Sequence, residues 1–167
     1  AALSPARIPS GYFKGAINYY RQAQKYLSKY TYAYDYGYIS YKLADLFFNY
    51  WKQTEDLQAL RDAVFQLREA EKIYTYALFP KFWAEIQGKL GQMLALLGNI
   101  TKSAEISEVA IASYRNQQKI ISEKRSPLAW GHIQENIADI HYHLGQNGCG
   151  RSHFEEALEA YHAYTEF

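Results

Sequence analysis

The chain has 167 residues, 49% of them hydrophobic and 21% charged, with a net charge of +1. Such a composition argues against intrinsic disorder, and a single cysteine, Cys149, excludes an internal disulfide or a cysteine-rich zinc module. No apolar run approaches the roughly 18 residues that a membrane helix needs. In chain order, residues 1–10 (AALSPARIPS) read as an extended lead-in. Seven helices are then predicted, over about 11–29, 33–51, 57–76, 80–97, 103–122, 127–144 and 153–166. Apolar spacing carries them: Ile133, Ile137, Ile140 and Leu144 form one stripe, and Phe154, Ala157, Leu158 and Tyr161 another. Phe79-Pro80 and Ser126-Pro127 mark helix starts, and Ser152 with Glu155 reads as a capping box. Gly98 and Gly145 are expected just past their helices, where a positive φ is wanted. The segment KYTYAYDYGY alternates tyrosines as a strand would, but helical register claims it from Tyr36 onward and leaves 29–35 mostly as loop.

An internal repeat organises these helices. Tyr36, Trp83 and Trp130 are 47 residues apart, as are Leu43, Leu90 and Ile137, and Ala44, Gly91 and Ala138. A second block aligns Ala16, Ala63, Ala110 and Ala157, and places Tyr20, Leu67, Tyr114 and Tyr161 at one position. The units are about 36–82, 83–129 and 130–167, preceded by a half repeat at 11–29, in one helical-repeat domain over 11–167. Each helix pair needs a neighbour to cover its apolar face, so the expectation is an all-α solenoid.

Residues Ile137-Ala138 with His141, Leu90-Gly91 with Leu94, and Leu43-Ala44 with Phe47 resemble the first helix of the tetratricopeptide repeat family. HFEEALEAYHAY resembles its second helix, with Tyr164 where the family usually has alanine. The 47-residue period is longer than the family's, which is about 34, and is similar to a long-repeat bacterial variety. The resemblance implies a right-handed superhelix of antiparallel helix pairs whose first helices line a concave peptide-binding groove. Carried over residue by residue, the groove would present Tyr38, Tyr41, Lys42, Asp45, Phe48 and Asn49. The next repeat would add Glu85, Gly88, Lys89, Gln92 and Ala95, and the last His132, Glu135, Asn136, Asp139, Tyr142 and His143. Amides, both charge signs and tyrosines suit an extended peptide; a plain solvated face is the alternative. Lys42, Lys89 and Asn136 share one register, a partial version of the family's carboxylate clamp.

No phosphate loop, dinucleotide fingerprint or hydrolase motif occurs, so a non-enzymatic protein- or peptide-binding scaffold without cofactor is expected. A regulatory sensor whose groove takes a small ligand or signal peptide is the alternative. His132, Asn136, Asp139 and His143 share one helical face, but not at a recognised ligand spacing, and His141 reads as a packed core histidine. No metal site is therefore assigned. Tyrosines with Lys25, Lys29 and Lys42 offer base stacking, but the near-neutral charge argues against a nucleic-acid partner. Residues 1–55 carry a net +4 and 130–167 a net −5, which favours head-to-tail self-association. The start at Ala1 reads as a processed or excerpted chain, and sparse cysteine fits the cytoplasm while leaving periplasmic and secreted settings open.

Overall fold

The computed structural model describes residues 9–27 and 29–165, with side chains to 163. The expected lead-in therefore lies outside the described residues except for Pro9 and Ser10, as do the side chain of Tyr164 and all of Phe167. Among the described residues there are seven α-helices and no strand. They are α1 (Ser10–Tyr26), α2 (Ala33–Thr54), α3 (Leu57–Ile73), α4 (Pro80–Thr101), α5 (Ala104–Gln118), α6 (Pro127–Gln146) and α7 (Arg151–Thr165). No described helix is long and apolar enough to cross a membrane.

The helix starts fall on the repeat. Ala33, Pro80 and Pro127 open α2, α4 and α6 at 47-residue steps, and Ser10, Leu57, Ala104 and Arg151 open the others at the same step. The residues before α2, α4 and α6 share a conformation: Tyr32, Phe79 and Ser126 have φ between −122° and −152° and ψ between 47° and 66°. Proline at the first helical position of α4 and α6 loses no intrahelical bond there.

The helix ends correct the sequence reading. α2 runs to Thr54 and α4 to Thr101, past the expected stops. Each ends on a non-glycine residue in the left-handed region, Glu55 (φ 56°) and Lys102 (φ 54°), again 47 apart. The Glu55 N–H bonds back to the Trp51 carbonyl at 2.7 Å, and the Ser103 N–H to that of Gly98 at 3.0 Å, which satisfies terminal carbonyls. With no glycine to flag these positions, the sequence misplaced them. Gly98 and Gly145 lie inside α4 and α6 and serve close packing instead. A Cβ on Gly98 would stand 2.4 Å from the Ser107 Oγ, and one on Gly145 2.7 Å from the Phe154 ring. Ser152 is likewise not a cap, because α7 already starts at Arg151, after Gly150 at φ 114°. The tyrosine-rich segment enters α2 at Ala33, so Tyr34 and Asp35 are helical rather than loop.

The chain forms two compact units, 1–73 and 74–167. In the first, α2 packs on both α1 and α3. Leu43, Leu60 and Leu67 are fully buried there, each contributing roughly 1.5–3 kcal/mol. A polar bridge crosses this core: the Gln24 amide donates to the Ser40 Oγ (2.8 Å) and to the Gln66 Oε1 (3.2 Å), joining all three helices. Asp56 caps α3 by accepting from the Gln58 N–H at 3.0 Å.

In the second unit, α4 packs on α5, α6 on α7, and α5 on α6, with a narrow contact between α4 and α6. Its core holds Ile86, Leu90, Met93, Ile111, Ile133, Ile137 and Leu144. Ser103 caps α5, its Oγ accepting from the Ile106 N–H at 3.3 Å. On α7 the expected stripe is only half realised. Ala157 is buried, but Leu158 is exposed while its repeat equivalent Ile111 is buried. Ile111 belongs to a helix packed on two others, whereas α7 packs on α6.

Candidate functional site

Two adjoining cavities open on the α4–α6 side of the second unit, of about 250 and 410 Å³. Both are bordered by Gln92, Tyr114 and Asn136, so they form one continuous cleft. Most of the expected second and third sets meet here: Glu85, Gly88, Lys89, Gln92 and Ala95 from α4, and His132, Asn136, Asp139 and His143 from α6. The spacing explains it. Glu85, Lys89 and Gln92 lie at i, i+4 and i+7, as do His132, Asn136 and Asp139, so each helix presents one polar stripe beside its buried one. Glu135 sits half-buried beside this stripe, its carboxylate 3.3 Å from the His132 Nδ1. Tyr142 turns toward Phe154, ring centres 6.0 Å apart.

The floor is mixed in polarity and was not foreseen. It comes largely from α5 and the residues after it: Ser107, Tyr114, Gln117 and Ile121 border the cleft. Tyr114 is the centrepiece. Its ring packs where Gly91 has no side chain; a Cβ there would stand 2.8 Å from the ring. Burial, and then the charge of Asp139, push its phenol far above the ordinary tyrosine range. The repeat had marked Tyr114 as a packing position, and that was the available signal that the second helix of a pair reaches through to the cleft.

Polar groups in the cleft are held in place. The Asn136 amide donates to the His132 carbonyl at 2.6 Å. Asp139 accepts from the Tyr161 hydroxyl; that hydrogen bond, aided by burial, raises the Tyr161 pKa to about 12. A neutral phenol thus anchors the carboxylate at one end of the cleft. Lys89, His132 and His143 set cationic or titratable groups against the carboxylates of Glu85 and Asp139.

The first unit does not repeat this arrangement. Tyr41, expected on the open face, is buried at 6% exposure, because Gly37, Ser40, Tyr41 and Ala44 together make the buried stripe of α2. Tyr38 is exposed, with the Lys42 ammonium 5.2 Å from its ring centre and 5.7 Å from that of Tyr41. Lys42, Asp45 and Asn49 are half-buried along α2. A cavity of about 420 Å³ in this unit is bordered by residues not singled out in the sequence, among them Lys14, Arg21, Tyr50 and Asp62. Arg21 and Asp62 pair across it at 3.1 Å. Tyr26, Tyr30, Tyr32 and Tyr34 are all exposed.

No family model, curated protein or solved structure matches this chain.

Proposed function

We propose that the chain is a tetratricopeptide-like scaffold, a right-handed α-solenoid of antiparallel helix pairs, that binds an extended peptide segment in the α4–α6 cleft and carries no catalysis. The observation that supports this reading is the convergence of Lys89, Gln92, His132, Asn136 and Asp139 on adjoining cavities that Tyr114, Ile133 and Ile140 also border. An extended peptide offers a backbone donor and acceptor at every residue, and side chains on alternating sides. The amides of Gln92 and Asn136 suit the backbone. The two adjoining cavities suit successive side chains, with Tyr114 and Ile140 bordering the smaller and Tyr114 and Ile133 the larger. Paired charges at the cleft edges would set direction and register more than affinity.

The test is selection of peptides from a random displayed library on the purified chain, followed by fluorescence anisotropy with the enriched sequence. The double variant Lys89→Ala, Asn136→Ala is expected to weaken binding by about tenfold or more, from two lost hydrogen-bonding groups at roughly 0.5–1.5 kcal/mol each. Unchanged affinity in the double variant, or no enriched peptide, would refute the reading.

A further inference from the structure

Away from the cleft, three ligand-type side chains meet between α6 and α7. His141 is buried, at 3% exposure. Its Nδ1 stands 3.0 Å from the Nδ1 of His153, and its Nε2 stands 3.1 Å from a Glu156 carboxylate oxygen. One ligand atom from each of the three lies within 4.8 Å of the others. The repeat makes the cluster unusual. At the register of His141 the other repeats carry Phe47 and Leu94, both buried. At that of His153 they carry Ala59 and Ile106, and at that of Glu156, Asp62 and Val109. An imidazole thus replaces an apolar core residue only in the repeat where a second imidazole and a carboxylate face it. Packing alone would favour the apolar residue, since a buried ring nitrogen costs free energy unless it has a partner.

We propose that His141, His153 and Glu156 form a binding site for one divalent transition ion of the zinc class, taking a ring nitrogen from each histidine and an oxygen from the carboxylate. This proposal is independent of the peptide-binding reading. Two imidazoles and a carboxylate are a ligand set that zinc accepts in open sites, with water in the fourth position. Ligand atoms at about 2.0–2.1 Å from a tetrahedral ion lie about 3.3 Å apart. Each edge of the His141 ring already has one neighbour near that spacing. Completing the triangle requires only that Glu156, exposed, or His153, half-buried, turn on α7 while His141 stays fixed. The metal-binding form of imidazole is the neutral one, and burial lowers the His141 pKa and so favours that form. Each neutral ring offers its bare nitrogen to the ion and carries its proton on the other, so binding needs at most a change of tautomer. A cavity of about 290 Å³ bordered by Arg115, Gln134, His141, Glu156 and Glu159 provides the entry path, with the Glu159 carboxylate offsetting the Arg115 charge.

The experiment is titration of the full, untagged chain with cobalt(II), followed by visible absorption, with calorimetry using zinc(II). One saturable equivalent with the absorption bands of a low-symmetry cobalt site is expected. His153→Ala and Glu156→Ala should each weaken binding by about tenfold or more, while both variants keep the wild-type circular dichroism. The double variant His132→Ala, His143→Ala, which removes the cleft imidazoles, should bind as wild type. No saturable binding, full binding in His153→Ala or Glu156→Ala, or loss of binding in the cleft double variant would each overturn the proposal.

Discussion

Replacing Gly91 by alanine tests whether the α4–α5 contact is as close as the structure has it. A Cβ at Gly91 would lie 2.8 Å from the Tyr114 Cδ2 and 2.9 Å from Cε2 and Cγ. Carbon atoms prefer about 3.5–4.0 Å, so the ring would have to retreat by roughly 0.7 Å or more. It is a buried ring struck near its base, so it cannot retreat without shifting its contact with α4. Overpacking of this kind costs about 1–3 kcal/mol. Removing a glycine from a helix interior returns about 0.8–1 kcal/mol. The expected result is a net loss of about 1 kcal/mol. Gly88, three residues earlier on the same helix, is the internal control. Its Cβ would meet only the amide end of Gln117, which is half-buried and can swing aside. Gly88→Ala should therefore keep most of the helix-propensity gain. The two variants are expected to differ by about 1–2 kcal/mol, or several degrees in Tm at roughly 2–4 °C per kcal/mol. Urea unfolding followed by far-UV circular dichroism reads the difference. A Gly91→Ala chain as stable as Gly88→Ala would refute the small-against-large contact on which the helix pair is built.

Ser103→Ala should destabilise the second unit by about 1 kcal/mol, read from the urea midpoint, by removing the acceptor for the Ile106 N–H; Ser103→Asp should restore it. The pH dependence of stability should carry a histidine signature from His141, whose pKa burial lowers. Glu156 and Glu108 pull it up, and His153 and Arg115 push it further down. A base with a depressed folded-state pKa stabilises fully above its unfolded value, near 6.5, and loses that contribution as pH falls through the folded value. His141→Leu, which copies Leu94 of the preceding repeat, should therefore lose less stability than wild type between about pH 7 and 5 in urea titrations. Parallel pH profiles for the two chains would count against the buried neutral imidazole.

The helices and their period were legible in the sequence because both are local. Apolar spacing within a helix and a 47-residue step between helices need no knowledge of what packs on what. Helix ends were less legible, because Glu55 and Lys102 adopt the left-handed conformation without glycine, and the two glycines that looked like stops are contact points for Ser107 and Phe154. The polar stripes of α4 and α6 were readable as faces, and they line one cleft. Its floor was not readable, since Tyr114 and Gln117 come from α5 and join the cleft only through packing. Tyr41 was misread for a related reason. Its register matched the open face of the other repeats, but α2 carries Gly37 and Ser40 beside it, and these small residues widen the buried stripe to include it.

The repeat acts as an internal control on what packing requires, and departures from it locate what packing does not explain. Leu67 shows that a leucine satisfies the position that Tyr114 and Tyr161 also occupy. The extra phenols are therefore free to serve the cleft: one forms its floor and the other anchors Asp139. Phe47 and Leu94 show the same for His141. The Tyr161 hydroxyl arrives with the Asp139 carboxylate placed to accept from it, and His141 with a second imidazole and a carboxylate beside it. A polar substitution retained for packing would need only to be tolerated. Substitutions that arrive together with matched partners at defined distances are what the two proposed binding sites predict. The first unit keeps Phe47 at the His141 register, has both Leu67 and the half-buried Tyr20 at the phenol register, and brings none of the expected stripe of α2 to its cavity.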